Sequence, residues 1–114
     1  MHELSIALAI LDLAAEEAER RGGARVLGIH LRLGPLAGVV KEALVSSFEV
    51  ARTDSPLVEA QLVIEDVPVT VYCPTCRGAR EVVSDRQLCC RDCGTPSHGV
   101  VSGRELEVVA LEIE

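Results

Sequence analysis

The densest chemistry in this chain lies in two pairs of cysteines. Cys73-Pro-Thr-Cys76 and Cys90-Arg-Asp-Cys93 each space two thiols by two residues, so one tight turn can aim both sulfurs at a single ion. Thirteen residues separate the pairs, enough for a short hairpin, and four thiolates complete the tetrahedral shell of a closed structural zinc site. Gly78 and Gly94, just past the two knuckles, offer the backbone freedom that such turns use. An iron–sulfur cluster and a redox dithiol are the alternatives. Paired knuckles sequester their thiolates, and no separate nucleophile and base accompany them, so an enzyme, whether thiol oxidoreductase or zinc hydrolase, is not expected. Cys89 could substitute for its neighbour Cys90, and His98 could replace one thiolate. The simplest shell is Cys73, Cys76, Cys90 and Cys93.

A second donor set stands at the amino terminus. In Met1-His2-Glu3 the terminal amine, the His2 amide nitrogen and the His2 imidazole can form fused chelate rings around one ion, and Glu3 can add a backbone or carboxylate donor. Square-planar nitrogen and oxygen ligation suits Ni(II) or Cu(II). Such a site is open, which suits passing an ion on. His30 is a weaker candidate, read as a strand histidine that meets solvent.

The elements that must position these groups are visible as periodicities. Leu4, Ala7, Leu8, Leu11, Ala14 and Ala18 recur at helical spacing, ending at Arg20-Arg21-Gly22-Gly23. Val26 to Leu33 alternates as a half-buried strand. After the Gly34-Pro35 turn, Val40, Leu44, Val45, Phe48 and Ala51 mark one face of a second helix that Thr53-Asp54-Ser55-Pro56 ends. Leu62 to Tyr72 reads as extended, interrupted at Asp66-Val67-Pro68. From Cys73 to about Arg104 apolar periodicity fades, which predicts a module organised by metal rather than by packing. Leu106 to Ile113 is a last strand.

Bulk properties exclude several classes of function. Eighteen acidic residues against eleven basic give a net charge of −7, and only Phe48 and Tyr72 are aromatic. Both facts oppose a nucleic-acid partner, which needs cations and stacking platforms. No apolar run approaches a membrane span and no leader-like segment opens the chain, so a soluble, cytoplasmic protein is expected. A chain of 114 residues, 48% apolar, buries a modest core that gains from a bound ion.

Met-His-Glu-Leu-Ser-Ile at residues 1 to 6, Leu33-Gly34-Pro35-Leu36-Ala37-Gly38-Val39, the two cysteine pairs and Leu106-Glu107-Val108, taken in order, resemble the HypA/HybF family of hydrogenase nickel-incorporation proteins along essentially the whole chain. Pro35 departs from the acidic residue common there, and the Cys89-Cys90 doublet is unusual. The resemblance implies an α+β fold, with two helices on a small mixed sheet and an inserted zinc-ribbon-like module. The final strand would return to the first domain, giving a nickel-binding domain of residues 1–72 plus 105–114 and a zinc-binding domain of residues 73–104. It further implies a metallochaperone for [NiFe]-hydrogenase that carries Ni(II) as cargo. Met1, His2 and Glu3 would form the nickel site, and Cys73, Cys76, Cys90 and Cys93 would hold structural Zn(II). The implied partners are the HypB GTPase and the hydrogenase large subunit, and a homodimer is allowed for.

Overall fold

The structure, a computed structural model, describes residues 2–114. Its elements run α1 (Glu3–Arg20), β1 (Val26–Leu33), a 3₁₀ turn (Pro35–Ala37), α2 (Lys41–Thr53), β2 (Gln61–Asp66), β3 (Thr70–Cys73), β4 (Gly78–Ser84), β5 (Gln87–Cys90), β6 (Val100–Ser102) and β7 (Leu106–Ile113). One sheet has the order β2-β1-β7 and the other the order β5-β4-β3-β6. This is the α+β arrangement that the sequence predicts, and it divides into two compact units.

The first unit comprises residues 1–31, 39–65 and 107–114. Its core gathers Ala7, Ile10, Leu11, Ala14 and Ala18 of α1, Leu44 and Phe48 of α2, and Val26, Ile29 and Leu31 of β1. Phe48 is fully buried and supplies the bulk that the alanines lack. The buried stripe of α1 differs from the expected one: Leu4 and Leu8 are 50% and 48% exposed, and Ile10 is buried in their place. Consecutive helical residues lie about 100° apart, so Leu8, one step beyond Ala7, swings out of a stripe centred on Ala7, Ala14 and Ala18. Val40 is likewise the N-cap of α2 rather than part of its apolar face, and it is exposed.

Strand directions follow from the hydrogen bonds at the sheet's ends. Arg25 and Glu114 exchange backbone bonds of 3.4 and 3.0 Å, the paired exchange of antiparallel strands, so β7 runs against β1. At the far ends of β1 and β2, the Val67 N–H donates to the Leu33 carbonyl (2.9 Å), placing β2 alongside β1 in the same sense after the α2 crossover. The sheet is therefore mixed.

The second unit comprises residues 32–38 and 66–106. β3 pairs antiparallel with β4, Thr70 opposite Glu81 and Cys73 opposite Gly78, and also with β6. β4 and β5 form the hairpin that carries the second cysteine pair. From Cys73 to Arg104 the buried residues are Cys73, Cys90, Ser97 and Gly103, two of them candidate ligands, and Val71, just before that stretch, is completely buried in the same four-stranded sheet. The unit's longer segment starts at Asp66 and so includes Thr70–Cys73, which pairs with β4 along its whole length and with β6 at Thr70 and Val71. Gly34 has a steric reason within this unit: a Cβ there would overlap the Gly103 carbonyl oxygen, which also accepts from the Leu36 N–H at 2.8 Å.

Candidate metal centres

The two knuckles are built alike. In the first, β3 ends on Cys73, whose carbonyl accepts from the Arg77 N–H (2.7 Å) and whose sulfur accepts from the Cys76 N–H (3.4 Å). The residue in the left-handed region is Arg77, at φ 56°, not the expected Gly78. In the second, the Gly94 N–H donates to the Cys90 carbonyl (2.8 Å), with Gly94 at φ 79°. The Cys90 N–H donates to the Thr95 carbonyl, closing the loop around the sulfurs.

The turns bring Cys73, Cys76, Cys90 and Cys93 together, all four sulfurs lying within 4.8 Å of one another. Cys73 Sγ lies 3.5 Å from Cys93 Sγ, and Cys76 Sγ 3.9 Å from Cys90 Sγ. A tetrahedral ion with metal–sulfur bonds of about 2.3 Å needs sulfur–sulfur edges of about 3.8 Å, so the cage has the size of a zinc shell. Cys89 stands outside it, half-buried and bridged through its backbone to Pro96. His98 is exposed and also outside the group.

The thiols perturb one another as so tight a cluster must. Cys93 is lowered to about 6, first by the Thr95 hydroxyl bonded to its sulfur at 3.1 Å, while Cys76 is pushed up to about 12, first by its hydrogen bond with Cys93. Neutral thiols here share protons, and four adjacent thiolates require a cation to balance their charge. The Thr95 hydroxyl also meets the Thr75 hydroxyl at 3.0 Å, tying one knuckle to the other on the side of the exposed Cys93. Neither threonine stood out in the sequence. A hydroxyl two residues after a cysteine was the signal available.

At the other end of the chain, Met1 lies outside the described residues. His2 is the N-cap of α1, its side chain exposed and its carbonyl accepting from the Ile6 N–H at 3.0 Å. Glu3 is buried, and its carboxylate accepts from the Val40 N–H at 3.2 Å. That bond, and then one from its own backbone, hold the carboxyl below its usual range. His2 is thus presented outward while the Glu3 carboxylate is turned inward onto the start of α2. His30, expected to meet only solvent, is half-buried with Nε2 2.8 Å from Glu112 Oε1.

The family described as "Hydrogenase/urease nickel incorporation, metallochaperone, hypA" matches residues 1–113. The chain belongs to this family. HypA proteins are metallochaperones and maturation factors rather than enzymes. Hydrogenase maturation factor HypA of Chloroflexus aggregans is 47% identical over 112 residues, covering 98% of each chain. The protein of the same name from Roseiflexus sp. is 46% identical over all of this chain and 93% of its own. The HypA fold is shared as well: the solution structure of the nickel metallochaperone HypA from Helicobacter pylori superposes with a TM-score of 0.67 at 24% identity, over 99% of this chain and 97% of that one. A second HypA solution structure gives 0.72 at 24% identity. Among the described residues, no helix is long and apolar enough to cross a membrane.

Proposed function

We propose that this HypA-family chain is a nickel carrier for [NiFe]-hydrogenase maturation in the cytoplasm, taking up Ni(II) on Met1-His2-Glu3 and passing it to partner proteins. The observation that carries this reading is the presentation of His2, exposed at the N-cap of a helix whose next residue, Glu3, is anchored. The first amides of a helix have no intrahelical acceptor. The His2 nitrogen can therefore yield its proton to a metal without breaking a helical bond. The Met1 amine and the His2 imidazole complete the chelate, and the Glu3 backbone adds a further donor while its carboxylate holds α1 in place. The positive end of α1 opposes a resident dication by about 0.3–1 kcal/mol, a penalty that suits a carrier that must release its cargo.

Zn(II) on Cys73, Cys76, Cys90 and Cys93 has a structural part, since four thiolates leave no open position for chemistry. In comparable peptides such an ion contributes on the order of 10 to 16 kcal/mol to folding. The unit containing α1, residues 1–72 and 105–114 in the sequence reading, thus serves nickel, and the cysteine unit, residues 73–104 in that reading, serves docking. The HypB GTPase and the hydrogenase large subunit are the proposed receivers, and a homodimer is compatible with the reading.

The test is calorimetric titration of Ni(II) into untagged, zinc-loaded protein and into His2→Ala, each checked for one retained zinc per chain. Stoichiometric binding that disappears in the variant with zinc retained is the expected result. Equal binding by both proteins would remove the nickel site from the N-terminus.

A further inference from the structure

The last strand leaves one side of the first sheet open. β7 is terminal in the order β2-β1-β7, so every second peptide group along Leu-Glu-Val-Val-Ala-Leu-Glu-Ile points away from β1. Natural edge strands are usually shielded by shortness, proline, lysine or a covering segment. β7 is eight residues long and contains neither proline nor a cation, and among the described residues no strand pairs with its outer side. β2, the opposite edge, is shorter, at six residues, and ends in Glu65-Asp66.

The surface beside this edge is shaped as well as open. A groove of about 510 Å³ runs between α1 and the strand, lined by Leu13, Glu16 and Arg20 on one side and Val108 to Leu111 on the other. A smaller one of about 280 Å³ continues it past Glu17 and Arg21 to Ile113. Leu13 and Val109 are about half exposed and Ile113 is 37% exposed, an apolar row that the sheet's own core does not use. An unpaired peptide edge beside such a row calls for an extended chain: the backbone supplies hydrogen bonds and alternate side chains enter the groove.

Charge decides between occupants. A second copy pairing β7 with β7 antiparallel over its full length would set Glu107 opposite Glu112 twice; Glu112 already meets His30 Nε2 in its own chain, but two chains that each carry −7 still repel one another along that seam. We propose that the β7 edge is a docking site for an extended, antiparallel segment of another protein, apolar in alternation and carrying Lys or Arg five residues apart, opposite Glu107 and Glu112. This surface is separate from the N-terminal donors and does not depend on the nickel reading.

The probe is the capped peptide acetyl-Val-Lys-Val-Thr-Val-Thr-Lys-Val-amide, titrated into full-length, zinc-loaded, ¹⁵N-labelled protein. The expected result is amide shifts confined to Leu106–Ile113 and to the α1 residues of the groove. N-methylation of alternate peptide amides, which alters no protein residue, weakens binding by about tenfold or more. Glu107→Lys weakens the lysine peptide and favours a version with Glu as its seventh residue. Equal binding by the N-methylated peptide, shifts elsewhere, or no shift with millimolar peptide would overturn the assignment. So would sedimentation showing that the free chain dimerises through β7 and that the peptide dissolves the dimer.

Discussion

Two glycines of the β1 region offer a matched test of whether backbone or side-chain neighbours decide the cost of an added methyl group. At Gly34 the new Cβ would coincide with the Gly103 carbonyl oxygen, a backbone atom held by the Leu36 N–H. Relief requires the two chain segments to part by roughly 1 Å, which costs about 1–3 kcal/mol as overpacking. The parting also stretches the 2.8 Å Leu36–Gly103 bond, adding about 0.5–1.5 kcal/mol. Gly34→Ala should therefore lose about 2–4 kcal/mol. At Gly28 the Cβ would meet only the carboxylate end of Glu112, a flexible side chain that can swing into solvent, and a strand gains about 0.5–1 kcal/mol when Gly becomes Ala. Gly28→Ala should fall within about 1 kcal/mol of the parent. Urea unfolding followed by circular dichroism, with zinc fixed at one concentration, separates the two: at slopes of about 1–3 kcal/mol/M, the Gly34 midpoint drops by roughly 1 M or more and the Gly28 midpoint barely moves. Equal losses, or a Gly34→Ala loss below about 0.5 kcal/mol, would refute the steric account.

Other outcomes follow from the cysteine cage, the Glu3 anchor and the core. Glu3 has a lowered folded-state pKa, so its contribution is present above the unfolded value near 4.5 and is lost as pH falls through the folded value. Glu3→Gln should be less stable than the parent at pH 7, with the difference closing in acid, as read from paired melts; a gap that persists at low pH would contradict the anchoring. Removing the ion with a chelator should melt β3–β6 while leaving the amide spectrum of α1 and α2 in place, and acidification should do the same as protons displace metal from thiolates. Thr95→Val removes the hydroxyl on Cys93 and should accelerate zinc transfer to a chromogenic chelator several-fold without changing the stoichiometry of one. Phe48→Ala, at a fully buried site, should cost about 3–5 kcal/mol in denaturant, a large share of the stability of so small a chain.

Much of the architecture was readable from periodicity because its first unit is amphipathic in the ordinary way: α1, β1 and β7 each alternate or repeat over eight or more residues. β3, β5 and β6 have four, four and three residues, too few for a period to register, so the cysteine spacing allowed a short hairpin there but the strand order was not legible. The cysteine cage was legible because ligand spacing is set by local turn geometry. Its Thr75–Thr95 clasp was not, since it joins residues twenty apart that only the fold brings together. The same holds for Glu3: adjacency to His2 suggested a ligand, but its carboxylate is used 37 residues away at Val40. The exposure of Leu4 and Leu8 shows the limit of reading a helix alone. Apolar spacing defines a stripe, and the partner decides which part of it is covered.

The antiparallel pairing of β1 with β7 has a consequence for biosynthesis. The first strand is complete at Leu33 and its neighbour begins only at Leu106, so at about 5–20 residues per second the ribosome makes the partner some 4–15 s later. During that interval one side of β1, with its buried Ile29 and Leu31, waits for the strand that completes its sheet. The residues translated meanwhile include 66 to 105, nearly all of the second unit, whose sheet and cysteine cage need nothing from β7 to pair. Among the described elements β7 is thus the last to be made, and it is the one that completes the first sheet.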